Sequence, residues 1–116
     1  MVRENREGLR GTVQMDEMYA GGKGSDKALV LAAAEEGGRI RLVHAPGNHE
    51  PCIKHIADTE LNGDAAVKTD GHAVYNRNTL GDRSHEAKVQ SAAEKKQDDH
   101  VQLCHWAVAG LKRWLL

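Results

Sequence analysis

The sequence predicts an α/β domain in which helices flank a mixed β-sheet. Two observations lead to this fold class: three strand-like segments fill residues 11–45, and a segment with helical spacing separates them from a fourth strand. The chain has 116 residues, which suits one domain with a modest core. Hydrophobic residues make up 40% of it and Phe is absent, so the core must be largely aliphatic.

The first three predicted strands form an antiparallel meander. Residues 11–20 mix β-branched and polar side chains, and residues 39–45 alternate apolar and charged ones. Residues 28–34 are a continuous apolar run, as in a strand that is covered on both faces. A buried helix would also fit this run, but the run is short and bounded by turn residues. A glycine-rich turn at residues 21–26 and Gly37-Gly38 link the three strands.

A helix and two short strands are predicted next. Asn48 suits the N-cap of a helix that ends at Asn62-Gly63. Residues 65–69 predict a fourth strand, and residues 84–89 predict a fifth. Residues 71–80, between these two strands, predict a turn and a short helix.

The C-terminal segment predicts a polar loop and then the clearest helix of the chain. Residues 90–98 are polar and predict a loop. The helix is expected over residues 98–116 with Asp98 or Asp99 as its cap, and it carries an apolar stripe of Val101, Cys104, Val108, Leu111 and Leu115. Three strands, a crossover helix and a further strand are the order of a ribonuclease-H-like mixed sheet, and this topological analogy alone says nothing about function.

Charge and composition exclude some classes of protein. The net charge is −1, whereas a stand-alone DNA-binding module is usually clearly basic. No stretch approaches the roughly 18 apolar residues of a membrane span, and residues 1–10 form no apolar signal segment. We therefore expect an intracellular protein that does not associate with membranes. Cys52 and Cys104 form no CxxC motif and are expected to pack as apolar side chains.

Two aspartates stand at positions where chemistry is plausible. Asp16 lies inside the first strand, where a buried acid is costly unless it reaches water at a sheet edge or binds a cation. Glu17 should point to the opposite face of the strand, so the two acids should not share one site. Asp70 closes the fourth strand, where it either caps the following turn or lies at the ligand-binding end of the sheet.

The last helix places a histidine and a lysine on one face. His105 and Lys112 are seven residues apart, so their directions differ by about 20° around the helix. Each alone is more typical of a solvated surface residue. Together with two carboxylates on neighbouring strands, they can form a divalent-metal site that faces a phosphodiester.

Three segments resemble ISXO-like insertion-sequence transposases of the DDE type. Residues 13–22 (VQMDEMYAGG) are similar to the family's V-x-[IM]-D-E-x-Y-x-G-G segment, and residues 69–75 (TDGHAVY) to its T-D-G-x-x-x-Y segment. Residues 105–116 (HWAVAGLKRWLL) resemble the helix that ends in N-L-K-R-W-L-L, in the form with His at the third catalytic position. Gly110 departs from the family's usual Asn.

The resemblance implies a function and a set of site residues. Asp16, Asp70 and His105 would hold Mg²⁺ or Mn²⁺, and Lys112 and Arg113 would contact DNA. The reaction would be metal-dependent phosphodiester cleavage and strand transfer on transposon ends and target DNA, in the bacterial cytoplasm at the nucleoid. The resemblance also allows a homo-oligomer.

The resemblance further suggests the domain organisation. Residues 1–10 would be an N-terminal extension, and residues 11–116 a ribonuclease-H-like catalytic domain. Family members carry an upstream DNA-binding module and a further C-terminal tail, so we expect this catalytic domain to be truncated at its C-terminus.

Three alternatives stay open at this point. A truncated, inactive transposase remnant would act at most as a binding or interaction domain. Seven histidines suggest a histidine-based metal-binding protein, but no two of them stand four residues apart. A ribonuclease-H-type nuclease would need three carboxylates, which His105 and Lys112 disfavour.

Overall fold

A computed structural model describes residues 8–20, 28–47 and 50–115. These residues form five strands and four helices in the order β1, β2, β3, α1, β4, α2, β5, α3, α4. Their bounds are β1 Thr12–Ala20, β2 Ala28–Glu35, β3 Ile40–Ala45, α1 Glu50–Glu60, β4 Ala66–Thr69, α2 Arg77–Leu80, β5 His85–Ala87, α3 Ala92–Gln97 and α4 Gln102–Leu115.

The five strands form one mixed sheet with the order β3-β2-β1-β4-β5. β1, β2 and β3 pair antiparallel, which confirms the predicted meander. β4 pairs parallel with β1, and β5 pairs parallel with β4. The parallel pairing requires the chain to cross over between β3 and β4, and α1 is that crossover.

Helices cover both faces of the sheet. On one face, buried side chains of β1, β2 and β4 pack against α1 and α2 in the larger core, whose members include Met15, Leu31, Ile53, Val67 and Leu80. On the other face, α4 packs on β1 and β2 and forms a smaller core of Ala32, Ala34, Val101 and Cys104. The continuous apolar run of β2 is thus explained, because both of its faces are covered.

Two predictions for the C-terminal segment are wrong in detail. Residues 92–97 form a short helix where a loop was expected, and the Ser91 hydroxyl caps it by accepting from the Glu94 amide. No residue of this helix is buried, so no apolar pattern could have indicated it. The last helix begins at Gln102, four residues after Asp98, because the chain turns at residues 98–101 first.

Some predictions lie outside the described residues. They are the glycine-rich turn at 21–26, the N-cap role of Asn48, and the side chains of Val108, Leu111 and Leu115 in the apolar stripe of α4. Within the described part of the chain, no helix has the length and apolar character needed to cross a bilayer.

Candidate active site

Asp16 lies in the middle of β1, on the face of the sheet that α4 covers. Alternate residues of the strand face this side, since Gln14 contacts the first turn of α4 and Asp16 contacts His105. The Asp16 residue is only 8% exposed, so its carboxylate needs partners. One oxygen, Oδ1, accepts from the Glu17 amide at 2.9 Å.

Asp70 follows the last residue of β4 and lies level with Asp16. The parallel ladder joins Gln14 to Lys68, and each aspartate is two residues further along its own strand. Neighbouring strands lie about 4.8 Å apart, so this register brings Asp70, just after the end of β4, towards Asp16 in the neighbouring strand. The Asp70 carboxylate also accepts from the His72 amide at 3.1 Å, which holds the turn after the strand.

His105 completes the group from α4. Its Nε2 atom lies 2.9 Å from Asp16 Oδ2, although 89 residues separate the two in the chain. About a third of the His105 side chain is exposed, compared with 12% of Asp16. The imidazole therefore stands between the buried carboxylate and solvent.

Contacts of the first turn of α4 explain why His105 reaches this position. The Gln14 side chain accepts from the Leu103 amide at 2.8 Å and donates to Glu36 at 2.9 Å. The buried Cys104 thiol donates to the Gln14 carbonyl at 3.2 Å. These bonds tie β1 to the two residues before His105, so the histidine lies directly over Asp16.

Burial and charge act together on Asp16. Burial, and then the negative charge of Asp70, raise the pKa of the Asp16 carboxyl, and His105 partly opposes them. The two carboxylates are therefore close enough to repel each other. A cation between them would offset this repulsion.

Glu17 points away from this group, as the alternation of the strand predicts. On the opposite face, the buried Tyr75 hydroxyl donates to the Glu17 carboxylate. Burial raises the pKa of Glu17, and the hydrogen bond from Tyr75 partly opposes that shift. Tyr75 belongs to the segment that follows Asp70, so this bond joins the two segments that carry the aspartates.

Asp99 also belongs to the group, and the sequence interpretation gave it only a capping role. Its Oδ2 lies 2.5 Å from His105 Nδ1. The spacing of six residues would place the two side chains on different faces of one helix, but Asp99 precedes α4. Helical periodicity could not indicate this contact, because it depends on the turn at residues 98–101.

A family model described as the ISXO2-like transposase domain matches residues 8–116. The chain belongs to this family. The resemblance predicted from the three motifs is thereby confirmed, and the protein is an insertion-sequence transposase domain of the DDE type. No curated protein and no solved structure matches the chain significantly.

The transposase family generally uses divalent metal ions, and the donors of this group suit one. Carboxylate oxygens prefer hard cations such as Mg²⁺ and Mn²⁺, and a neutral imidazole nitrogen is a ligand for Mn²⁺. The repulsion between Asp16 and Asp70 is a further feature that a cation would relieve. Among the described residues, no three His, Cys, Asp or Glu side chains stand together as a ready metal site.

The two predicted DNA contacts lie further along α4 of the transposase domain. The Lys112 side chain lies outside the described part of the structure, and Arg113 is exposed. The structure thus brings His105 to Asp16, and the charge of Asp70 acts on Asp16 from the neighbouring strand. The roles of Lys112 and Arg113 stay predictions.

Proposed function

We propose that this transposase domain cleaves phosphodiester bonds and transfers DNA strands at the ends of an insertion sequence in a metal-dependent reaction. The observation that carries this proposal is the 2.9 Å approach of His105 Nε2 to Asp16 Oδ2, on the strand next to β4, which Asp70 follows. Asp70, the third side chain named by the family motifs, supports the proposal through its negative charge, which acts on Asp16 from the end of β4.

Asp16 and Asp70 would hold Mg²⁺ or Mn²⁺ with their carboxylates, and His105 would be the third ligand through Nε2. The bound ion would polarise the scissile phosphodiester and activate water or a DNA 3′-hydroxyl as the nucleophile. His105 brings one negative charge less than the carboxylate of a Glu at this position would. We therefore expect Mn²⁺ to bind more tightly than Mg²⁺.

The DNA partner and the cellular setting complete the proposal. Lys112 and Arg113 would contact phosphates of the transposon ends or of the target, since cationic side chains suit the DNA backbone. The strand order, with a parallel β4 reached through α1, supports a ribonuclease-H-like fold. The domain would act in the bacterial cytoplasm at the nucleoid.

Mn²⁺ titration of the full chain tests the ligand assignment. Isothermal titration calorimetry should show one binding site in the wild type and a loss of affinity of about 10-fold or more in His105→Ala. His55→Ala is the matched control, because His55 is an exposed histidine on α1. Equal Mn²⁺ affinity in wild type and His105→Ala would contradict the assignment.

A strand-nicking assay tests the activity. Duplex oligonucleotides that carry the terminal repeats of the element should be nicked in the presence of Mn²⁺ by the wild type but not by Asp16→Asn. Mn²⁺ binding without nicking would contradict catalysis. It would instead support the alternative that the chain is an inactive remnant with a binding or interaction role.

A further inference from the structure

We infer that Asp99 is the residue that positions His105, by accepting a hydrogen bond from Nδ1 and so directing the Nε2 lone pair into the site. The His105 ring has a carboxylate at each end: Asp99 Oδ2 at 2.5 Å from Nδ1 and Asp16 Oδ2 at 2.9 Å from Nε2. This role rests on the proposed function, because the Nε2 lone pair matters only if His105 binds the metal ion.

Asp99 is held in place by its own turn. Its second oxygen, Oδ1, accepts from the Val101 amide at 3.2 Å. The Gln90 side chain accepts from the His100 amide at 2.9 Å and donates to the Asp98 carbonyl at 2.7 Å. Residues 98–101 are thus bound on both sides of Asp99, and 16% of its side chain is exposed.

His105, the partner of Asp99 in this contact, is also held in place. Leu103 and Cys104 tie the first turn of α4 to Gln14 on β1. His105 therefore cannot follow Asp99 away from Asp16 without breaking the bonds that hold the helix on the sheet. The ring is oriented by the fold at the helix start and by Asp99 at Nδ1.

The contact between Asp99 and His105 Nδ1 decides which ring nitrogen carries the proton. An ionised carboxylate can accept hydrogen bonds but cannot donate them. In the contact with Asp99 the proton therefore lies on His105 Nδ1. When a cation displaces the proton shared between Nε2 and Asp16, the neutral ring keeps its proton on Nδ1 and has its lone pair on Nε2, which is the form that can bind a metal. Such carboxylate partners of histidine ligands fix the tautomer, and their loss typically costs 10- to 100-fold in metal affinity.

Asp99→Asn separates this role from a structural one. The single amide oxygen can keep the bond from the Val101 amide, and its NH₂ group then faces His105 Nδ1 as a donor. The histidine is expected to hold the tautomer with the proton fixed on Nε2, where it donates to Asp16 and cannot bind a cation. The fold should therefore persist while the metal ligand is lost.

Two measurements on the full chain test this expectation. Proton–nitrogen NMR of histidine-labelled protein without metal should show an Nδ1–H signal of His105 in the wild type and its loss in Asp99→Asn, with His105→Ala used for assignment. Calorimetric titration with Mn²⁺ should show 10- to 100-fold weaker binding in Asp99→Asn at an unchanged urea midpoint. Asp98→Asn is the control, because it removes the same charge from the neighbouring exposed acid and should change neither readout.

The outcomes distinguish this inference from the proposed function. An Nδ1–H signal that survives in Asp99→Asn, or Mn²⁺ binding equal to that of the wild type, would overturn the role of Asp99. A wild type that binds no Mn²⁺ would instead overturn the proposed function. In that case the NMR comparison would still decide whether Asp99 sets the tautomer.

Discussion

At the scale of single residues, Glu17 and Tyr75 join the two segments that carry Asp16 and Asp70. Tyr75 is 3% exposed, and its hydroxyl donates to the Glu17 carboxylate. Tyr75→Phe would leave this carboxylate without that donor while the ring still fills the core. We expect the free energy of unfolding at pH 7 to fall by about 1–3 kcal/mol, measured by urea denaturation.

A double-mutant cycle shows whether the hydrogen bond causes this loss. Glu17→Gln removes the charge of the group that accepts the Tyr75 hydrogen bond. Tyr75→Phe should therefore lower the free energy of unfolding by clearly less in the Glu17→Gln background. If Tyr75→Phe costs the same with Glu17 and with Gln at that position, the loss comes from something other than this bond.

The residues of the site differ in how far the sequence could predict them. Asp16, Asp70 and His105 could be named because each lies in a motif of the family, and strand alternation correctly separated Glu17 from Asp16. Asp99 could not, because its contact with His105 depends on the path of the turn before α4 and has no periodicity. Hydrogen bonds made by irregular backbone leave no pattern in the sequence.

At the scale of elements, the β2–β3 hairpin is held by Glu35, the last residue of β2. The Glu35 carboxylate accepts from the Arg10 amide at 2.9 Å and from the Arg39 guanidinium at 3.1 Å. These bonds lower the pKa of Glu35 to about 2. A Cβ atom at Gly38 would stand 2.1 Å from the Glu35 carboxylate, so a larger residue there would have to displace this hydrogen-bonded side chain.

The lowered pKa predicts how the hairpin responds to pH. Ionised Glu35 stabilises the fold above its ordinary pKa of 4.5, and this contribution is lost as the pH falls towards about 2. Glu35→Gln should lower the free energy of unfolding by about 1 kcal/mol at pH 7, and the difference should be clearly smaller at pH 2, where about half of the Glu35 carboxyls are protonated. Urea denaturation at pH 7, 4 and 2 measures it, with the exposed Glu86→Gln as control. A difference that is as large at pH 2 as at pH 7 would contradict an ionic origin.

Elements with a covered face were predictable, and some of the others were not. The apolar residues of β1, the continuous apolar run of β2 and the helically spaced apolar residues of α1 are buried, so the positions of these elements follow from the pattern. β3 was predicted from its alternation alone, because its apolar residues Ile40 and Leu42 are exposed. α3 buries no residue and is held by the capping box of Ser91 and Glu94. The start of α4 depends on the hydrogen bond that the Asp99 side chain accepts from the Val101 amide, just before the helix begins at Gln102. Local hydrogen bonds decide such boundaries, and an apolar pattern carries no information about them.

At the scale of the whole molecule, the larger core includes a residue from before the first strand. Leu9 is fully buried; its amide donates to the carbonyl of Glu60, the last residue of α1, at 2.7 Å, and its carbonyl accepts from the amide of Asn62, just after α1, at 2.8 Å. It thus joins the end of the crossover helix to the sheet, on the face opposite to α4. Both faces must be covered for β1 to hold Asp16 beneath His105.

Leu9→Ala tests how far this residue stabilises the whole domain. The substitution leaves a cavity in the core, so we expect the free energy of unfolding to fall by about 2–5 kcal/mol in urea denaturation. Leu42→Ala is the matched control, because the same truncation at a residue that is 41% exposed should cost clearly less. Equal losses in the two variants would mean that residues 8–10 do not belong to the folded core. If only Leu9→Ala loses stability, and its folded form binds Mn²⁺ as tightly as the wild type, Leu9 stabilises the domain but does not affect the geometry of the metal site.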